Sequence, residues 1–241
     1  MAIPFRTSLH LFALTLLSGG LLISTSLLAS ASVSNPTTAT ILSAASKALE
    51  KQTSVRVHVS SVTAKVVSSV VADIGAKSGT ETFTKGDESF TITVTPAYAY
   101  LSGTKEGLTE IMGLTAAEEK KVGTSAIAMK KGTAPYKTFK ENLTVGALTK
   151  LLPVVKGTTL LAKRDKTTNG YDLSWVTAAA EDSPKTTTVM TISSGKTALP
   201  IKEKVTTSDG SSETTFSHWG EIVQVIVPSS TIPYGTVFPT T

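Results

Sequence analysis

Val55, Val57 and Val59 alternate with Arg56, His58 and Ser60, a period of two that predicts a strand with one buried face. Just before it, Ile41, Leu42, Ala45, Ala48 and Leu49 recur at helical spacing, which predicts an amphipathic helix over Ala39–Lys51. Lys65–Ile74 and Thr80–Thr84 are further strands, the second turning at Lys85-Gly86-Asp87. Phe90, Ile92 and Val94 then share one face while Thr91, Thr93 and Thr95 share the other. Pro96 interrupts this ladder because it has no N–H to donate, and Ala97–Ser102 resumes it.

The middle of the chain changes period. Leu108, Ile111, Met112 and Leu114 form an apolar cluster, followed by Thr115-Ala116-Ala117-Glu118. A hydroxyl with a glutamate three residues on is a capping box, so a short helix starts there and ends near Gly123. Thr144 opens another helix with Val145, Leu148, Leu151 and Leu152, stopped by Pro153. Strand patterns then return at Thr158–Arg164, Tyr171–Thr177, Thr186–Ser193, Pro200–Thr206, Ser212–Trp219 and Ile222–Val227. Asn169-Gly170, Ser194-Gly195 and Asp209-Gly210 separate them, the last two as hairpin turns. Strands joined in series predict an antiparallel meander. The fold class expected is α+β, one curved antiparallel sheet with helices packed on its concave face.

Composition adds a destination. Arg6 precedes a long uncharged, Leu-rich stretch that closes on Ala29-Ser30-Ala31, the small-x-small pattern of a signal-peptidase site. The stretch is also long enough to span a bilayer as an uncleaved anchor. The expected organisation is a signal peptide at 1–31, a linker at 32–38, a single domain at 39–233 and a tail at 234–241. The chain has no Cys, so an exported domain of roughly 210 residues must stand on packing alone. Its formal charge is +5, spread over dispersed lysines without interleaved aromatics. That pattern predicts no nucleic-acid partner and leaves an envelope membrane surface or a membrane protein as possible company.

Reaction chemistry is sparse. Only His58 and His218 follow the leader, and neither stands at metal-ligand spacing. His58 is expected on a solvent-facing strand face and His218 within a strand. No Gly-x-Ser-x-Gly elbow occurs, and Ser193-Ser194-Gly195-Lys196 falls in a hairpin turn. Glu118 and Glu119 are adjacent on a helix and diverge. A glycosidase-type carboxylate pair remains open, because its members can be distant in sequence. The expectation is a non-enzyme without cofactor or metal.

One segment carries a family likeness. Ser217-His218-Trp219-Gly220-Glu221-Ile222-Val223-Gln224-Val225 resembles the Ser-x-Trp-Gly-Glu-x-Val-x-Val run that closes the sheet of the LppX/LprAFG-like cell-envelope lipoproteins. Leu199-Pro200-Ile201, Tyr98-Ala99-Tyr100-Leu101 and the Leu-Thr-Ala-Ala start at Leu114 suit the same layout. Ala31 stands where those lipoproteins carry the lipidated Cys, and Thr124-Ser125-Ala126-Ile127 replaces their Lys-Trp-Ile-like segment. The resemblance implies a secreted, non-lipidated member with a half-barrel like that of LolA and LolB. It implies a hydrophobic cavity for acylated lipids or glycolipids, and carriage across the envelope. The residues expected to line such a cavity are Phe90, Ile92, Val94, Leu108, Ile111, Met112, Leu148, Leu151 and Leu152. The same positions also suit a filled core in a structural or interaction protein. The Gly103–Gly123 insertion is the expected flap for ligand exchange.

Overall fold

The computed structural model describes residues 36–145, 152, 161–177, 185–194 and 197–239. Helix α1 (Thr38–Leu49) precedes a run of hairpins: β1 (Ser54–Thr63), β2 (Val66–Gly75), β3 (Gly79–Lys85), β4 (Glu88–Val94) and β5 (Tyr98–Gly103). An insertion follows, with α2 (Lys105–Met112), α3 (Ala116–Val122), β6 (Ala126–Lys130) and α4 (Ala134–Asn142). A second meander contains β7 (Leu161–Asp165), β8 (Gly170–Thr177), β9 (Thr186–Ser193), β10 (Pro200–Thr206) and β11 (Gly210–Ser217). The described chain closes with β12 (Thr231–Pro233) and α5 (Tyr234–Val237).

All twelve described strands belong to one sheet, in the order β12-β6-β5-β4-β3-β2-β1-β11-β10-β9-β8-β7. Two meanders therefore meet at β1 and β11, and the sheet is antiparallel except for the β12–β6 pair. This is the α+β class that the periodicity predicts, an open sheet with its helices on one face. Alternation decides which face is inner: Val55, Val57 and Val59 are buried on β1, whereas Arg56, His58 and Ser60 are exposed.

Local chemistry explains most elements. Thr37 caps α1, its side chain accepting from the Thr40 amide. The capping box of α3 is complete: the Thr115 hydroxyl accepts from the Glu118 N–H, and Glu118 accepts from the Thr115 N–H at 2.8 Å. Those bonds to the charged form hold the Glu118 carboxyl below its usual range. In the β1–β2 hairpin, Thr63 pairs with Val66, so Ala64 and Lys65 form the whole turn. Both have positive φ, 49° and 71°, in a turn shape that favours Asn-Gly. Replacing them together by Asn and Gly is expected to stabilise the domain by about 1 kcal/mol and raise Tm by roughly 2–4 °C. Scanning calorimetry checks this, and an unchanged or lowered Tm counts against a strained turn.

Four elements depart from the sequence reading. Ile222–Val227 is not a strand, and His218 lies past the end of β11 rather than inside it. Both edges of β11 are already occupied, and His218 (φ 54°) and Gly220 (φ 75°) turn the chain out of the ladder. The result is an extended strap. The Gly220 N–H donates to the Ser54 carbonyl, the Ser54 hydroxyl donates to the Glu221 carbonyl, and Ile222 and Ile226 are each 89% exposed. The strap ends at Ser230, whose carbonyl accepts from the Ala126 N–H beside β6. Strand β6 and helix α4 were not legible either. Ala126, Ile127 and Met129 are all buried, which erases a period of two, and α4 turns only Pro135, Tyr136 and Phe139 inward. Beyond Pro233, where a tail is expected, Val237 and Phe238 are buried in the core. Of the helix expected from Thr144, residues 146–151 lie outside the described residues, as do residues 1–35, where the leader is expected.

Candidate ligand-binding face

The inner face carries two separate apolar clusters. The first joins inward residues of β1–β6 and Phe216 to Leu108, Ile111 and Met112 of α2, Val122 of α3, and Tyr136 and Phe139 of α4. In the second, Ile41 and Ala45 of α1 cover Leu173 and Trp175 of β8 and Met190 and Ile192 of β9.

Register shows what lies between them. One inner row runs Leu173, Met190, Glu203, Thr214, Val59, Val70, Phe83 and Phe90 across β8, β9, β10, β11, β1, β2, β3 and β4. The row below it runs Trp175, Thr188, Val205, Ser212, Ser61 and Ser68. The apolar face is thus interrupted over β10, β11 and β1 by a carboxyl and several hydroxyls. Thr188 and Thr214 are both buried, and burial pushes the Glu203 carboxyl up to about 7. Lys202 and Lys204 alternate to the opposite face, where Lys202 pairs with Glu213 at 2.6 Å.

A second carboxyl lies deeper. In the row Phe216, Val57, Ala72, Glu81, Ile92, Leu101 and Ile127, Glu81 is the only polar residue. It is 3% exposed, and burial alone pushes it up to about 7. Four strand steps separate β3 from β10, roughly 19 Å at about 4.8 Å per step. That exceeds the spacing of about 10 Å or less that a glycosidase pair needs, so Glu81 and Glu203 do not form one.

Of the nine residues expected to line a cavity, Phe90, Ile92, Val94, Leu108, Ile111 and Met112 come together, all buried in the first cluster. Leu152 packs half-buried against the second cluster beside Leu42 and Tyr171, and Leu148 and Leu151 lie outside the described residues. Leu108 also borders a cavity of about 310 Å³ between α2 and α3, with Leu114 and Val122. At its rim Lys105 pairs with Glu119 at 2.9 Å, and the Thr109 hydroxyl donates to Glu119 at 2.7 Å. The start of α2 is tied to β4: the Thr104 N–H donates to the Ser89 carbonyl at 2.8 Å, and the Ser89 N–H donates to the Thr104 hydroxyl at 3.1 Å.

Glu81, Glu203, Thr188 and Thr214 were missed as site residues, although parity marks them. Glu81 is two residues from Phe83 on one strand, and Glu203 is two from Val205. A carboxyl in phase with inward apolar positions is the signal. Among the described residues, no three His, Asp or Glu side chains converge as a metal site. No helix among them is long and apolar enough to cross a membrane.

No family model matches the chain, and no curated protein matches it. Solved structures do. The chain is similar to the crystal structure of LprF from Mycobacterium bovis at 15% identity, covering 78% of this chain and 95% of that one with a TM-score of 0.46. It is similar to the Mycobacterium tuberculosis lipoprotein LppX at 15% identity, covering 79% of this chain and 100% of that one with a TM-score of 0.48. Both are lipoproteins of the family that the segment Ser217–Val225 resembles.

Proposed function

We propose that this chain is an exported, non-enzymatic binding protein that holds the acyl chains of a lipid or glycolipid against the inner face of its sheet. It would act in carriage or sensing within the cell envelope, receiving its ligand from a membrane surface or a membrane protein. The observation that supports this most is the division of one continuous sheet face into two apolar clusters under separate helices. A single-purpose core would run unbroken across β10 and β11. Here the seven described candidate residues flank the interruption, six on one side and Leu152 on the other. A diacyl ligand burying roughly 800 Å² gains about 20 kcal/mol. Association costs of roughly 4–15 kcal/mol leave micromolar binding within reach. Shape and apolar lining suffice, and no catalytic group is required.

Native mass spectrometry tests this on the secreted chain, purified without detergent. One lipid per chain is expected, lost in Leu152→Asp while the far-ultraviolet circular dichroism spectrum is unchanged. A ligand-free mass that persists after incubation with envelope lipids would overturn the reading.

A further inference from the structure

The interruption between the two clusters has a chemistry of its own. Glu203 stands directly opposite Thr214 on one side and Met190 on the other, with Thr188 one step along β9. Directly opposed residues on a sheet face have Cβ atoms about 5 Å apart and diagonal ones about 7–8 Å, so Glu203 has Thr214 beside it and Thr188 at a diagonal. Thr188 and Thr214 are each 5% exposed. Among the described residues, neither hydroxyl has a side-chain hydrogen bond, and the Glu203 carboxyl has no partner. Buried polar groups in folded proteins are nearly always hydrogen-bonded, so two buried hydroxyls and the half-buried carboxyl between them, without a partner among the described residues, mark a place for a polar guest. Apolar banks flank it, Leu173 and Trp175 on one side and Val59 and Val70 on the other.

We propose that Glu203, Thr214 and Thr188 form the polar subsite of the ligand-binding face, and that it takes the hydroxyl-bearing group of an amphiphile whose apolar arm lies against the neighbouring cluster. This rests on the lipid-binding reading above and adds the head-group chemistry. A hydroxyl can donate to the Glu203 carboxyl and accept from the Thr214 beside it, and a second hydroxyl of the same group can accept from Thr188, two strands from Thr214. An ammonium only donates, which leaves both threonine protons unmet. An ester carbonyl only accepts, and gives an ionised carboxylate nothing.

Fluorescence of Trp175, which pairs with Thr188 across β8 and β9, gives the readout on the full secreted chain in a Trp219→Phe background. The probes are 1-monodecanoylglycerol and methyl decanoate, which share an acyl chain and differ in hydroxyl donors. Both are titrated below their aggregation concentrations. The monoacylglycerol is expected to bind about tenfold more tightly, the scale of one buried hydrogen bond. Glu203→Leu should remove that preference and leave the affinity for methyl decanoate unchanged. Thr214→Val, nearly isosteric, should reduce the preference several-fold and serves if the leucine variant does not fold. Equal affinities in the Trp219→Phe background alone, or a Glu203→Leu change that weakens both probes alike, would overturn the subsite and leave lipid binding standing. Binding of neither probe would overturn both readings.

Discussion

Glu81→Gln is expected to leave stability nearly unchanged at pH 4 and to raise it by about 3 kcal/mol at pH 8. Glu81 points inward from β3 between Ala72 and Ile92, in a row that is otherwise apolar. Burial pushes its carboxyl from 4.5 up to about 7, with no opposing charge or hydrogen bond among the described residues. The sign follows from proton linkage. Below pH 4.5 the group is protonated in both states and costs nothing extra. As pH rises from there, the unfolded chain sheds the proton first, and folding is progressively disfavoured. The loss is complete above about 7, where the folded state ionises as well. A difference of that size corresponds to about 3 kcal/mol. Glutamine has the same shape and never ionises, so it removes the pH-dependent part alone. Denaturant midpoints at pH 4, 6 and 8 decide the matter. A gain that is the same at every pH would show that the carboxyl is not desolvated. Glu203 is shifted in the same direction, so the single variant retains a smaller fall over the same window.

Gly107→Ala is the second large effect, and intrinsic helix propensity predicts the opposite sign. Within an ordinary helix, alanine is favoured over glycine by about 1 kcal/mol. In α2, however, a Cβ at position 107 would overlap the carbonyl oxygen of Ser89 and stand 2.7 Å from its carbonyl carbon. Ser89 belongs to β4, which is held on both edges by β3 and β5, so the backbone has nowhere to go. The helix must lift instead, and it carries Leu108, Ile111 and Met112 away from the first cluster. Overpacking of this kind costs about 1–3 kcal/mol, and partial loss of the helix contacts adds to it. A net destabilisation of about 3 kcal/mol, or roughly 6–12 °C in Tm, is expected. Gly235→Ala in α5 is the control, because a Cβ there meets nothing within 4 Å. If both variants unfold at the same temperature, the close approach of α2 to β4 is not real.

How much was legible follows from how each element is buried. Strand β1 alternates buried valines with exposed Arg56, His58 and Ser60, and β4 alternates Phe90, Ile92 and Val94 with threonines, so the period announces them, and α3 is announced by Thr115 and Glu118. Strand β6 is covered on both faces and carries no such rhythm. The strap from Glu221 to Val227 has a strand's composition, but β11 beside it is already paired on both edges, which propensity cannot reveal. The candidate site divides in the same way. Hydrophobic positions in the first cluster could be found by phase, whereas the interruption at Glu203 depends on which strands become neighbours. That neighbour relation links residues from 59 to 214, and nothing in either segment alone encodes it.

The junction of β1 with β11 also bears on the order in which the chain organises itself. Each meander is assembled from hairpins that close over short loops, while Arg56 and Ser217 are separated by most of the domain. Local pairings close quickly, and distant ones wait for the ends to meet. A chain that emerges amino terminus first presents β1 long before residues 210–217 arrive to cover its open edge. During that interval β1 is a bare strand edge, and its outward Arg56 and His58 are the polar guards against pairing with the wrong neighbour.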